Sequence, residues 1–135
     1  MLVALFADIH ANREALEACL QQAREHGAEQ QIFLGDYVGY GADPEWVVST
    51  VMDRVDGGSV AVRGNHDNAV ADLREDLNLE AQVAMEWTRG ELDDDVGLHA
   101  KIARGDELRS KFPVARCCRV SATSHCLTPM RSPSR

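Results

Sequence analysis

Long apolar runs are missing from this chain of 135 residues. None approaches the ~18 consecutive residues that a membrane helix needs, so no spanning segment is expected. The first apolar run, Leu2–Ala7, also lacks a basic flank and meets Asp8 at once. It does not read as a signal peptide, which leaves the cytoplasm as the expected compartment. Basic charge is scarce too, and the formal net charge is −8. That balance disfavours a protein that grips a nucleic-acid phosphate backbone. An acidic chain can still act on phosphate compounds if metal ions reverse the local charge. No internal repeat is present, and none of the four cysteines forms a C-x-x-C pair. In a reducing compartment they are expected as free thiols rather than a zinc knuckle.

What is present fits one globular domain: 44% apolar and 27% charged residues, enough for a real core. The charge is unevenly divided. Residues 1–95 hold 20 Asp and Glu against 6 Lys and Arg, whereas residues 96–135 hold 2 against 8. Apolar periodicity fades at the same place, and "VSATSHCLTPMRSPSR" is rich in Ser, Pro and Arg. The expected division is therefore a folded unit at 1–95 and an irregular or disordered tail at 96–135.

Within the first unit the pattern alternates. Leu2–Ala7 reads as a buried strand, and Asn12 can cap a helix whose stripe is Ala15, Leu16, Cys19, Leu20 and Ala23. Gly27 is a plausible stop for it, with His26 beside the negative end of the helix dipole. A second strand falls at Gln31–Leu34, and Asp43-Pro44 reads as the cap and first residue of a second helix. Its inner face would hold Trp46, Val47, Thr50 and Val51, Gly57-Gly58 would end it, and Ser59–Arg63 would make a third strand. Helices are expected around Asp67–Leu73 and Leu79–Leu92, the latter with Ala81, Ala84, Met85, Thr88 and Leu92 on one stripe. Strand–helix repeats of this length imply an α/β fold with parallel strands and helical crossovers.

Each strand ends in a polar cluster: "DIH" at 8–10, "GD" at 35–36 and "GNHD" at 64–67. In an open parallel sheet, ligands bind beyond the carboxyl ends of the strands, so the clusters should converge. Together they offer Asp8, His10, Asp36, Asn65, His66 and Asp67. Such a mixed oxygen and nitrogen set suits Mn²⁺, Fe²⁺ or Zn²⁺. Strand spacing predicts that Asp8 and His10 point to one face and grip one ion. Asp36, from the middle cluster, is the natural bridge between two ions, and His66 can act on a leaving-group oxygen. The glycines before Asp36 and Asn65 would let the chain turn and leave room for ions. Asp67 also suits the N-cap of the next helix; Tyr37 and Tyr40 either line a pocket or pack the loop. Asp93–Asp95 reads as a solvated helix end.

These three motifs, in this order and spacing, resemble those of the calcineurin-like metallophosphoesterases, over roughly residues 1–95. The resemblance implies the N-terminal half of a four-layer α/β/β/α sandwich and hydrolysis of phosphate mono- or diesters by metal-activated water. It implies two divalent ions (Mn, Fe or Zn), with Asp8, His10, Asp36 and Asn65 as ligands. It makes His66 the catalytic histidine and Asp67 its catalytic-site support. The expected partner is a phosphate-ester small molecule or a phosphodiester.

Two departures from that pattern stand out. The phosphoprotein phosphatases of the family carry "GDYVDRG", whereas this chain has "GDYVGYG". Gly39 and Tyr40 thus stand where an Asp would orient the histidine and an Arg would hold phosphate. The chain looks more like the small bacterial phosphoesterases. Complete members also have later "H-G" and "G-H-x-H" segments, but this chain has no Gly-His pair. His99 and His125 are poor substitutes, which suggests a truncated or frameshifted sequence beyond residue 95. Impaired activity with one ion, or weakly held ions, is therefore expected. The alternative is a non-catalytic remnant that at most binds one metal. A half-sandwich would also leave a sheet face bare for homo-oligomer contact.

Overall fold

The computed structural model describes residues 1–71, 78–92 and a strand at 116–121. Its elements run β1 (Leu2–Ala7), α1 (Arg13–Glu25), β2 (Gln30–Phe33), α2 (Pro44–Asp56), β3 (Val60–Ala61), α3 (Asn65–Ala71), α4 (Leu79–Glu91) and β4 (Arg116–Ser121). The strands form one sheet in the order β3-β2-β1-β4, and every pairing is parallel. The α/β class, the parallel sheet and the helical crossovers are as the periodicity predicts.

Local chemistry sets the boundaries. The Asn12 side chain accepts the Ala15 N–H at 3.0 Å and starts α1. At its other end the Gln22 carbonyl accepts both the His26 amide at 3.0 Å and the His26 ring at 2.8 Å, which closes the last turn. Pro44 opens α2, but Asp43 makes no side-chain cap bond, contrary to the capping role expected of it. Pro44 instead starts the helix through its fixed φ, at a position whose N–H has no partner within the helix.

The core lies between the sheet and the two crossover helices. Ala4, Phe6, Phe33 and Ala61 pack with Leu16, Leu20 and Ala23 of α1 and Val47, Val48 and Val51 of α2. Register places Phe6 opposite Phe33, and their rings stack with centroids 4.8 Å apart. Such a pair adds ~0.5–1.5 kcal/mol beyond its buried area. Helix α4 buries Ala81, Met85 and Thr88, and Leu92 follows as the stripe requires.

Two expectations change. The alternation of side chains puts Val3 and Ile32 on the opposite face from Phe6 and Phe33. Both are buried, so that face is not bare at these positions. Strand β4 lies within the tail that the sequence leaves irregular, and it pairs with β1 from Leu2↔Arg116 to Ala7↔Ser121. Among the described residues, no helix is long and apolar enough to cross a membrane.

Candidate metal centre

The loops that leave β1 and β2 are built from unusual backbone. Asp8, His10, Ala11, Asp36 and Tyr40 all have positive φ, between 49° and 65°. For non-glycine residues this left-handed region costs roughly 1–2 kcal/mol each. It persists only where the surroundings enforce it, and such residues cluster at functional sites. Here the enforcement is a set of inter-loop hydrogen bonds. His10 donates to the Asp36 carbonyl at 2.9 Å, Ala11 to Tyr37 at 2.7 Å and Gly41 to His10 at 2.9 Å.

Asp8, His10 and Asp36 converge as a result, each with a ligand atom within 4.8 Å of the others. Strand alternation is not the cause, as it was expected to be. Strand β1 ends at Ala7, and the left-handed backbone at Asp8 and His10 aims the two side chains.

Two of the three donors are oriented from behind. The His10 Nδ1 lies 3.2 Å from the Val38 carbonyl. A carbonyl only accepts, so Nδ1 carries the hydrogen and Nε2 keeps its lone pair for an ion. One Asp36 oxygen accepts the His66 N–H at 3.0 Å. Two donors on one small cation at ~2.1 Å each stand at most ~4.2 Å apart, so donors as far apart as 4.8 Å must close by about half an ångström or more to share an ion. Two carboxylates and one imidazole, all half-buried, suit a divalent transition metal.

Asp67 is fully buried and braces the exits of β2 and β3 together. It accepts N–H bonds from Asp36 (2.8 Å), Tyr37 (2.9 Å) and Gly64 (2.8 Å). Burial pushes its carboxyl up to about 6, against the three amides that favour the ionised form. Tyr37 is core rather than pocket, its hydroxyl lying against the Phe33 and Val62 carbonyls, and burial raises its phenol far above the ordinary value.

The motif glycines serve close approach of the loops. A Cβ on Gly35 would overlap the Gly64 backbone, and one on Gly64 would overlap Asp36. The space expected for ions is taken up by the two loops themselves. Gly39 has φ 89° and faces His66: a Cβ there would stand 2.8 Å from its Nδ1 and would overlap Met85. That Nδ1 is buried without a hydrogen-bond partner among the described residues. Burial lowers the His66 pKa, while the Asp36 charge opposes the shift.

The His66 ring sits 4.8 Å from that of His10, and Asn65 opens α3 exposed to solvent beside it. Tyr40 completes a cluster of three rings, 5.0 Å from His10 and 5.1 Å from His66. Sequence reasoning left Tyr40 between pocket and packing and missed the Val38 carbonyl, since main-chain acceptors have no residue-type signature. His99, His125 and Asp93–Asp95 lie outside the described residues.

Comparison with known proteins places this geometry. The sequence model of the calcineurin-like phosphoesterases matches residues 1–116. An uncharacterized protein of Methanocaldococcus jannaschii is 37% identical over 90 residues, which are 65% of this chain and 36% of that protein. The crystal structure of a metallophosphoesterase from Sphaerobacter thermophilus is similar with a TM-score of 0.55 and 36% identity, covering 73% of this chain and 38% of that one. The chain thus spans a little over a third of the length of the relatives it matches.

Proposed function

This chain belongs to the calcineurin-like phosphoesterase family, and from that premise we propose that it carries the carboxylate and imidazole part of a centre for phosphate-ester hydrolysis. In this reading Asp8, His10 and Asp36 hold one divalent cation, and Asp36 with Asn65 serves a second. His66 reaches the leaving-group oxygen, and Asp67 fixes the loop that bears Asp36. The observation that carries the reading is the gathering of three donors within 4.8 Å at the strand exits. Mn²⁺, Fe²⁺ or Zn²⁺ each match that donor set.

Bound cations would supply Lewis-acid polarisation of the phosphoryl group and an acidified water. The protein's own part is positioning. The Val38 carbonyl sets the His10 tautomer, and the His66 amide pins one Asp36 oxygen. The buried His66 Nδ1 lies against Gly39, which leaves Nε2 as the ring atom for proton delivery or charge stabilisation. The substrate class is a phosphate monoester or diester.

A second reading has its own support. Among the described residues the gathered donors include a single imidazole. A second ion would then rest on Asp36 and Asn65 alone, and the chain would bind one metal at most without turnover.

Mn²⁺ titration and hydrolysis of aryl phosphate mono- and diesters, run beside Asp36→Asn, separate the two. About two Mn²⁺ per chain and turnover abolished by the substitution support the phosphoesterase. One weakly held Mn²⁺ with no turnover supports the second reading. No Mn²⁺ uptake and no turnover overturn the phosphoesterase and leave the non-catalytic remnant.

A further inference from the structure

Among the described residues, Tyr40 is the one large aromatic side chain at this centre that the chemistry above leaves without a task. Its ring stands against His10 and His66, 5.0 and 5.1 Å between centroids, while 55% of the residue stays exposed. Its backbone is held in the left-handed region at φ 65°. Packing does not account for that arrangement, because Tyr40 contributes nothing to the buried core. Strained, exposed aromatic groups beside a polar centre are recurrent in ligand contact.

The geometry points to Tyr40 as a specificity-determining residue that presents its free ring surface to the group bonded to phosphorus. We propose that it favours esters whose phosphoryl group carries a planar aromatic substituent. The reach of the site supports the assignment. His10 is a donor of the triad, so a phosphoryl group held at the triad lies about one ring-width from Tyr40. The atoms that meet Tyr40 are then those one or two bonds from phosphorus. A ring placed there stacks on Tyr40, whereas a methyl group cannot cover it.

This inference rests on the metal reading, so the test measures the metal and the ligand separately. Mn²⁺ affinity of the full chain is measured first, by the loss of free-ion paramagnetic signal. Binding of phenylphosphonate and methylphosphonate to the Mn²⁺-loaded chain follows, for the wild type, Tyr40→Phe and Tyr40→Leu. The two ligands share a head group and differ only in the substituent. The wild type is expected to prefer the phenyl ligand by about 3- to 30-fold, the range of a single aromatic stacking contact. Tyr40→Phe should keep that ratio. Tyr40→Leu should bring it towards one while Mn²⁺ and methylphosphonate affinities stay within about threefold.

A phenyl preference that survives in Tyr40→Leu overturns the assignment. So does a parallel loss of both phosphonates, which would make Tyr40 a wall of the site and not a selector. A wild-type chain that takes up no Mn²⁺ overturns the metal reading and this inference with it, and the first measurement identifies that outcome.

Discussion

Replacing Gly64 by Ala adds one methyl group where two loops meet. No positive φ is involved at this residue, so the effect is steric and can be worked from the contacts. The new Cβ would lie 2.5 Å from the Asp36 amide nitrogen and 2.6 Å from its carboxyl carbon, and would overlap the carboxylate oxygen. A side-chain rotation cannot relieve contact with a backbone nitrogen, so one loop must shift. Three hydrogen bonds straddle the contact: Gly64 N–H and Asp36 N–H to Asp67, and His66 N–H to Asp36. Overpacking typically costs ~1–3 kcal/mol, and a buried donor left unpaired ~1–3 kcal/mol, so about 2–6 kcal/mol is expected. That is a large part of the ~5–15 kcal/mol of an ordinary domain. Urea unfolding followed by far-ultraviolet circular dichroism gives the loss, and Mn²⁺ titration of the folded fraction gives the effect on the triad. Gly58→Ala is the control. Gly58 has φ 98° but open space around it, so backbone strain alone should cost roughly 1–2 kcal/mol and leave Mn²⁺ affinity unchanged. A Gly64→Ala protein within ~1 kcal/mol of wild type, binding Mn²⁺ equally well, would refute the claim that loop contact demands this glycine.

Two further outcomes follow from single contacts. Tyr37→Phe leaves the Phe33 and Val62 carbonyls without the phenol hydrogen in a buried place, and should destabilise the chain by ~1–3 kcal/mol in the same urea assay. An unchanged midpoint would mean that water replaces the hydroxyl. Gly90 lies on the exposed side of α4, where an added Cβ would meet nothing within 4 Å, so Gly90→Ala should raise stability by ~0.5–1 kcal/mol through helix propensity. A lower midpoint would show that α4 does not behave as a regular helix there.

The sequence carried most of the first unit because each signal is local. Apolar spacing in Leu16, Leu20 and Ala23 makes one helix face, and Asn12 caps it with its own side chain. The motifs were legible for a related reason, since Asp8, His10, Asp36, Asn65, His66 and Asp67 all follow strands. Their convergence was not legible in its true form. Alternation along a strand was the expected cause, but β1 stops before Asp8 and left-handed residues do the aiming. Strand β4 was missed because the run at 116–121 shows no alternation of apolar and polar residues and is paired only by the neighbouring β1.

Residue order by itself therefore determined an alternating parallel α/β unit, the acidic and imidazole groups at its strand exits, and the family to which those motifs belong. Tertiary structure alone decided which groups meet and how they are held. The Val38 carbonyl selects the free nitrogen of His10, and the Asp67 carboxylate ties the Asp36, Tyr37 and Gly64 amides. It also leaves no room for a Cβ at Gly35, against the Gly64 backbone, or at Gly64, against Asp36. The physical reason is that each of these contacts has a main-chain atom on at least one side, from a loop about 28 residues or more away in several cases, and any sequence has the same main chain.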